Sequence, residues 1–166
     1  MRLLVIVALA AATLAFWTHY AGHPDPDPGG QRLEALRGIL AVMPSDAQVS
    51  SSATDEPLWD HCSMPAGRSG FDRATLTRDF GSALATRRVL DDAKAAAVAA
   101  GWRLTRSGVD GLGLASLSWQ RIVVVKGESV RLDATLSQTV LTPGQSPYWS
   151  LAAFAPPRVD PIGDCV

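Results

Sequence analysis

Asparagine is absent from this 166-residue chain and lysine occurs only twice. Without asparagine there is no N-glycosylation acceptor. The 15 basic residues are balanced by 16 acidic ones, leaving a net charge of −1. The arginines are scattered, and Arg87-Arg88 opens a helical stretch rather than a patch. No basic stripe is available to hold a nucleic-acid backbone, so nucleic acid is excluded as a partner. Catalytic signatures are scarce as well. There is no G-x-S-x-G elbow to mark a serine nucleophile. The run Gly108-Val109-Asp110-Gly111-Leu112-Gly113 is rich in glycine but precedes a strand and lacks a Lys-Ser/Thr ending, so it reads as a hairpin loop and not a phosphate cradle. No cofactor and no metal is implied.

Cysteine is nearly absent too, and the two that occur, Cys62 and Cys165, are informative. They lie downstream of a long apolar N-terminus. A chain sent across a membrane meets oxidising conditions, where an even cysteine count reads most simply as a disulfide. A bond between Cys62 and Cys165 would join the two ends of the folded region. No cysteine lies in or just after the apolar segment, which excludes a lipoprotein anchor.

That segment runs from Leu3 to about Tyr20 after a single basic residue, Arg2. Roughly 18 helical residues span about 27 Å, close to a thin bilayer core. Thr13-Leu14-Ala15 could serve as a small-x-small cleavage site, but cutting there leaves Phe16 and Trp17 at the new N-terminus. An uncleaved anchor over residues 1–22 fits better. Trp17 and Tyr20 stand where interfacial aromatics belong, and the far flank carries Asp25 and Asp27. The expected topology is a single span with the N-terminus inside and the remainder outside; secretion after signal cleavage is the alternative. Residues 23–30, HPDPDPGG, read as an extended polyproline-like spacer with a flexible glycine end. His19, His23, Asp25 and Asp27 do not converge as metal ligands, because the prolines keep them off one helical face.

Residues 31–166 are enough for one domain with its own core. QRLEALRGILAVM, residues 31–43, repeats apolar residues at helical spacing (Leu33, Leu36, Ile39 or Leu40, Met43) and stops at Pro44. Residues 47–53 suit a short edge strand, and 55–72 an ordered loop turned by Pro65, Gly67 and Gly70. Residues 74–80 alternate as a strand. A helix follows from Thr86, a good N-cap, to about Ala100, with Val89, Leu90, Ala93 and Ala97 forming a low-profile inner face. Gly101 suits the left-handed C′ position, with Trp102 packing back beneath it. Strands are expected over 102–106, 117–125, 130–136 and 148–154, with a tight turn at 126–129. The strand–helix–strand order around the main helix makes a crossover connection the default. The expected fold is α+β: one main helix packed on a mostly antiparallel four- or five-stranded sheet, in two layers, preceded by the transmembrane helix.

His61, the only histidine beyond residue 23, is flanked by Asp60 and Cys62. Adjacent residues in an extended segment point apart, which argues against a Cys–His nucleophile pair. Asp91 and Asp92 fall on the polar face of a helix, not across a cleft as glycosidase chemistry needs. The tryptophans at strand spacing read as core.

The order Trp59…Cys62, Gly70-Phe71-Asp72, Phe80, Gly101-Trp102, Trp119, Trp149, Pro156-Pro157 and Gly163-Asp164-Cys165 resembles small exported or membrane-anchored proteins of actinobacteria that carry no assigned activity. The resemblance covers most of the chain beyond residue 44. It implies an extracytoplasmic α+β domain with a disulfide and brings no catalytic residues. The function expected is therefore a membrane-tethered, non-enzymatic binding domain, its partner an envelope protein or lipid. A small cell-envelope hydrolase using His61 with a distant Ser or Asp is the alternative.

Overall fold

A computed structural model describes residues 30–57, 59–64, 68–71, 73–139 and 148–164. The expected membrane span, most of the linker and Cys165 lie outside these residues. No helix among the described residues is long and apolar enough to cross a membrane.

The described residues open with a short helix, α1 (Gln31–Arg37), that tightens into a 3-10 turn over Gly38–Val42. Leu33, Leu36, Ile39 and Val42 are its buried residues. Met43 is extended, as the residue before a proline prefers, and Pro44 ends the segment. The single helix expected over 31–43 is thus a helix and a 3-10 turn.

Strands β1 (Gln48–Asp55), β2 (Trp59–Met64), β3 (Arg68–Phe71) and β4 (Thr75–Gly81) follow, then helix α2 (Thr86–Ala99). The chain ends with β5 (Arg103–Val109), β6 (Ala115–Val125), β7 (Glu128–Thr139), β8 (Tyr148–Phe154) and β9 (Arg158–Asp164). Six strands form one antiparallel sheet in the order β1-β4-β8-β7-β6-β5, and β2, β3 and β9 form a second, three-stranded one. The architecture is α+β, but the main sheet exceeds the expected four or five strands. The segment read as a loop at 55–72 supplies β2 and β3, and the residues after Pro156-Pro157 supply β9. β3 pairs with β9 across almost the whole chain, with Arg68 opposite Asp164 and Phe71 opposite Arg158.

Each neighbouring pair in the main sheet is antiparallel, so β4 and β5 run parallel with three strands between them. The β4–α2–β5 connection is therefore a crossover over the face of the sheet. The core lies on that face. Leu76 and Phe80 of β4, Leu117 and Trp119 of β6, Leu132 and Leu136 of β7, and Trp149 and Leu151 of β8 pack against Leu36, Ile39, Val89, Ala93 and Ala97. Small residues on α2 let the helix approach the bulky tryptophans. Trp102 is buried with them, in keeping with the core reading of these aromatics.

Ala85, not Thr86, is the N-cap of α2, and its carbonyl accepts from the backbone N–H groups of Arg88 and Val89. Thr86 occupies the first helical position, where its hydroxyl accepts from Nε2 of Gln138 at 3.1 Å. At the other end Gly101 (φ 80°) donates to Val98 and Trp102 donates to Ala97, which is the Schellman pattern. The side chain of Arg121 lies over this terminus, close to Gly101, and sets a cation where the helix dipole is negative. β6 and β7 are joined by Lys126-Gly127, both at positive φ, a two-residue turn that matches the strand twist.

Candidate functional site

Alternation along the strands gives the main sheet a second face that no helix covers. Its register rows are Ser51–Asp79–Ser150–Ser137–Ser116–Gly108 and Ala53–Thr77–Ala152–Thr135–Ser118–Arg106. A third row runs Asp55–Thr75–Phe154–Asp133–Gln120–Arg103. Several of these short side chains satisfy one another or the sheet itself. Thr75 donates to Asp55 at 2.6 Å, Ser137 donates to the Ser150 carbonyl, and Ser118 and Thr135 share a hydrogen bond. Arg73 stacks over the Phe154 ring at 5.6 Å from its centroid.

A concave feature among the described residues lies where this sheet runs out. β8 ends at Phe154, opposite Asp133 of β7. The chain then reaches Pro156-Pro157, whose missing N–H groups cannot extend the ladder. Among the described residues, the part of β7 before Asp133 therefore pairs only with β6, and the β6–β7 hairpin projects beyond the rest of the sheet. An open cleft of about 380 Å³ forms there, lined by Arg32, Ser129, Val130, Arg131, Pro156 and Pro157.

Arg32 comes from the first turn of α1 and is only 5 % exposed, the one charged residue buried among those described. Arg32 takes part in a polar interaction, although its Nε–H itself has no acceptor. Arg131, on the opposite wall, is mostly exposed and donates from Nε to Asp133 at 3.0 Å. On the same side of the hairpin as Arg131 and Ser129 stand Ile122 and Val124, their register partners on β6. These two apolar side chains are 71 % and 67 % exposed.

The residues singled out from sequence lie elsewhere. His61 and Cys62 are on β2, and their side chains are outside the described set, as is Cys165. β2 and β9 belong to one sheet and approach within 8 Å between Cα atoms, although β3 lies between them in the ladder. Asp91 and Asp92 are on the exposed face of α2, where they pair with Arg87, Arg88 and Lys94. Of the Gly108–Gly113 segment, Gly108 and Val109 end β5 and the rest lies in the β5–β6 hairpin loop, in which Oδ1 of Asp110 accepts from the backbone of Leu112 and Leu114. Among the described residues no group of His, Cys, Asp and Glu converges as metal ligands would.

One carboxylate has a shifted titration. Asp46, in the loop after the 3-10 turn, is held below the ordinary aspartate value, chiefly by the Ser82 hydroxyl and also by backbone N–H groups. Ser82 and Ala83 each donate to it at 2.8 Å. This group ties two loops together and is remote in the chain from the cleft residues.

The cleft was not visible as a motif. Its lining is drawn from three segments far apart in sequence, and only the pairing of β8 brings them to one place. No protein family, curated protein or solved structure matches the chain.

Proposed function

We propose that the chain is a membrane-tethered, extracytoplasmic binding domain without enzymatic activity, which receives its ligand in the cleft at the base of the β6–β7 hairpin. The observation that carries this reading is the cleft itself: a nearly buried arginine, a second arginine and a serine line a concavity together with two prolines. These groups recognise charge and shape. They supply no nucleophile with an adjacent base, and no pair of opposed carboxylates. The sequence supplies the tether, an apolar run of about one bilayer thickness followed by a proline-rich spacer.

Within this reading Cys62 and Cys165 are joined. β2 carries Cys62, and β9 ends one residue before Cys165. The approach of these two strands supports the pairing, since a disulfide needs Cα atoms closer than about 7 Å.

The test is a fusion of alkaline phosphatase after Val166, a reporter that folds only where disulfides form. The expected result is active reporter in the membrane fraction that resists an alkaline carbonate wash. An inactive reporter, or one that washes off, overturns the tethered extracytoplasmic assignment.

A further inference from the structure

We infer that the ligand is the membrane's own lipid: the β6–β7 hairpin docks on an anionic phospholipid surface and the cleft at its base holds a headgroup phosphate. The inference rests on the tethered-domain reading above and adds the identity of the ligand.

Three observations meet at this end of the fold. The first is chemical. Arg32, Arg131 and Ser129 line one cleft, and guanidinium forks and hydroxyls are the donors a phosphate diester needs. Arg32 is almost fully buried, so its charge acts through a lower dielectric than that of an ordinary surface arginine.

The second is the apolar pair beside it. Ile122 and Val124 point to the same side of the hairpin as Arg131 and Ser129, and both are largely exposed. Single exposed apolar residues are ordinary, but two on one projecting strand, next to a cationic cleft, match the boundary between headgroups and acyl chains. Lys126 stands at the tip of the turn. The charges of the region are Arg32, Lys126 and Arg131 against Glu128 and Asp133, with Asp133 one register step deeper into the sheet. Lys126 and Arg131 are balanced by Glu128 and Asp133, so it is Arg32 of α1 that tips this end of the fold positive in a chain whose net charge is −1.

The third is position. Arg32 is the second residue of α1, which begins directly after the 23–30 spacer. Eight residues reach at most about 29 Å when fully extended. The cleft wall supplied by α1 is thus held within one short spacer of the bilayer that the anchor would cross.

The test uses the full chain in nanodiscs of phosphatidylcholine, with and without phosphatidylglycerol, followed by amide hydrogen exchange. Exchange over residues 122–131 is expected to slow only when phosphatidylglycerol is present, and the protection is expected to weaken with added salt. Each of Lys126→Gln and Arg131→Gln is expected to reduce the protection about fivefold, the effect of one basic residue near an anionic surface. Ile122→Ser with Val124→Ser is expected to reduce it as well. These exposed positions leave the core untouched, so the variants fold where a change at buried Arg32 would not discriminate.

Exchange that is the same in both lipid compositions overturns the inference. So does protection in phosphatidylcholine discs by soluble glycerol 3-phosphate equal to that given by phosphatidylglycerol, which would make the ligand a free phosphate ester. A chain that inserts into phosphatidylcholine discs but shows no lipid-dependent protection defeats the headgroup assignment and leaves the tether standing. A chain that does not insert defeats both.

Discussion

Asp46 and Ser82 are 36 residues apart in the chain and meet in a hydrogen bond of 2.8 Å, with the serine hydroxyl donating. The same hydroxyl accepts from the backbone N–H of Leu84, and the second carboxylate oxygen accepts from Ala83. One carboxylate thereby organises the turn between β4 and α2 and fastens it to the loop that leads from the 3-10 turn into β1.

Asp46→Ala should destabilise the domain at neutral pH, by an amount that shrinks in acid. The sign follows from the lowered titration of Asp46 in the folded state. A carboxylate with a depressed folded value stabilises the fold above its unfolded value and loses that contribution as pH falls through the folded one. Urea unfolding of both proteins, at neutral pH and then stepwise below the ordinary value of 3.8, measures it. A difference that stays constant into acid would be inconsistent with this role.

Gly101→Ala should cost about 1–2 kcal/mol, the penalty for placing a side chain in the left-handed region. The glycine sits at φ 80°, and an added Cβ would lie 3.6 Å from Nε of Arg121, which is ordinary contact. Strain in the backbone, not crowding, is thus the expected cause. Replacement by asparagine, which tolerates this conformation better, should recover part of the loss in the same thermal melt.

Phe80→Ala should cost about 3–5 kcal/mol, as large-to-small changes in packed cores do. Phe80 is fully buried and belongs to β4, whose partner β8 carries Trp149 directly opposite. A loss below about 1 kcal/mol in denaturant titration would mean that this layer of the core is loosely packed.

Reduction of the intact protein should expose two thiols and lower its stability. A bond between Cys62 and Cys165 closes a loop of roughly 100 residues, for which chain-entropy arithmetic gives about 4–5 kcal/mol. Thiol labelling before and after reduction measures it. Labelling of the unreduced, folded chain would show the cysteines to be free.

Local patterning carried most of the main sheet. The strand at 148–154, the helix from Thr86 and the cap at Gly101-Trp102 were all legible, because their alternation, periodicity and punctuation are contained within a few residues. The second sheet was not. Residues 59–71 contain proline, two glycines and no alternation, and β3 is held between β2 and β9, a partner almost ninety residues away. Nothing local announces such a strand. The run Ile122-Val123-Val124-Val125 was legible as strand, but its continuous apolarity does not tell which side is covered. Val125 is buried whereas Ile122 and Val124 face outward, because alternation turns these two onto the sheet face that no helix covers. The cleft was illegible because it exists only where strands of unequal length stop in register.

β8 is paired on one side with β4 and on the other with β7. During synthesis this gives the sheet an order of assembly. The pair β1–β4 and the meander β5–β6–β7 can each form as their residues emerge, but they remain two unjoined ladders until residues 148–154 arrive. A ribosome that stalls, or a protease that cuts, before that point leaves open the edge of β4 and the Asp133–Thr139 edge of β7, both of which β8 covers in the finished protein. The last strand of the main sheet acts as its keystone, and a chain shortened by its final twenty residues should behave as an aggregation-prone fragment rather than as a smaller version of the domain.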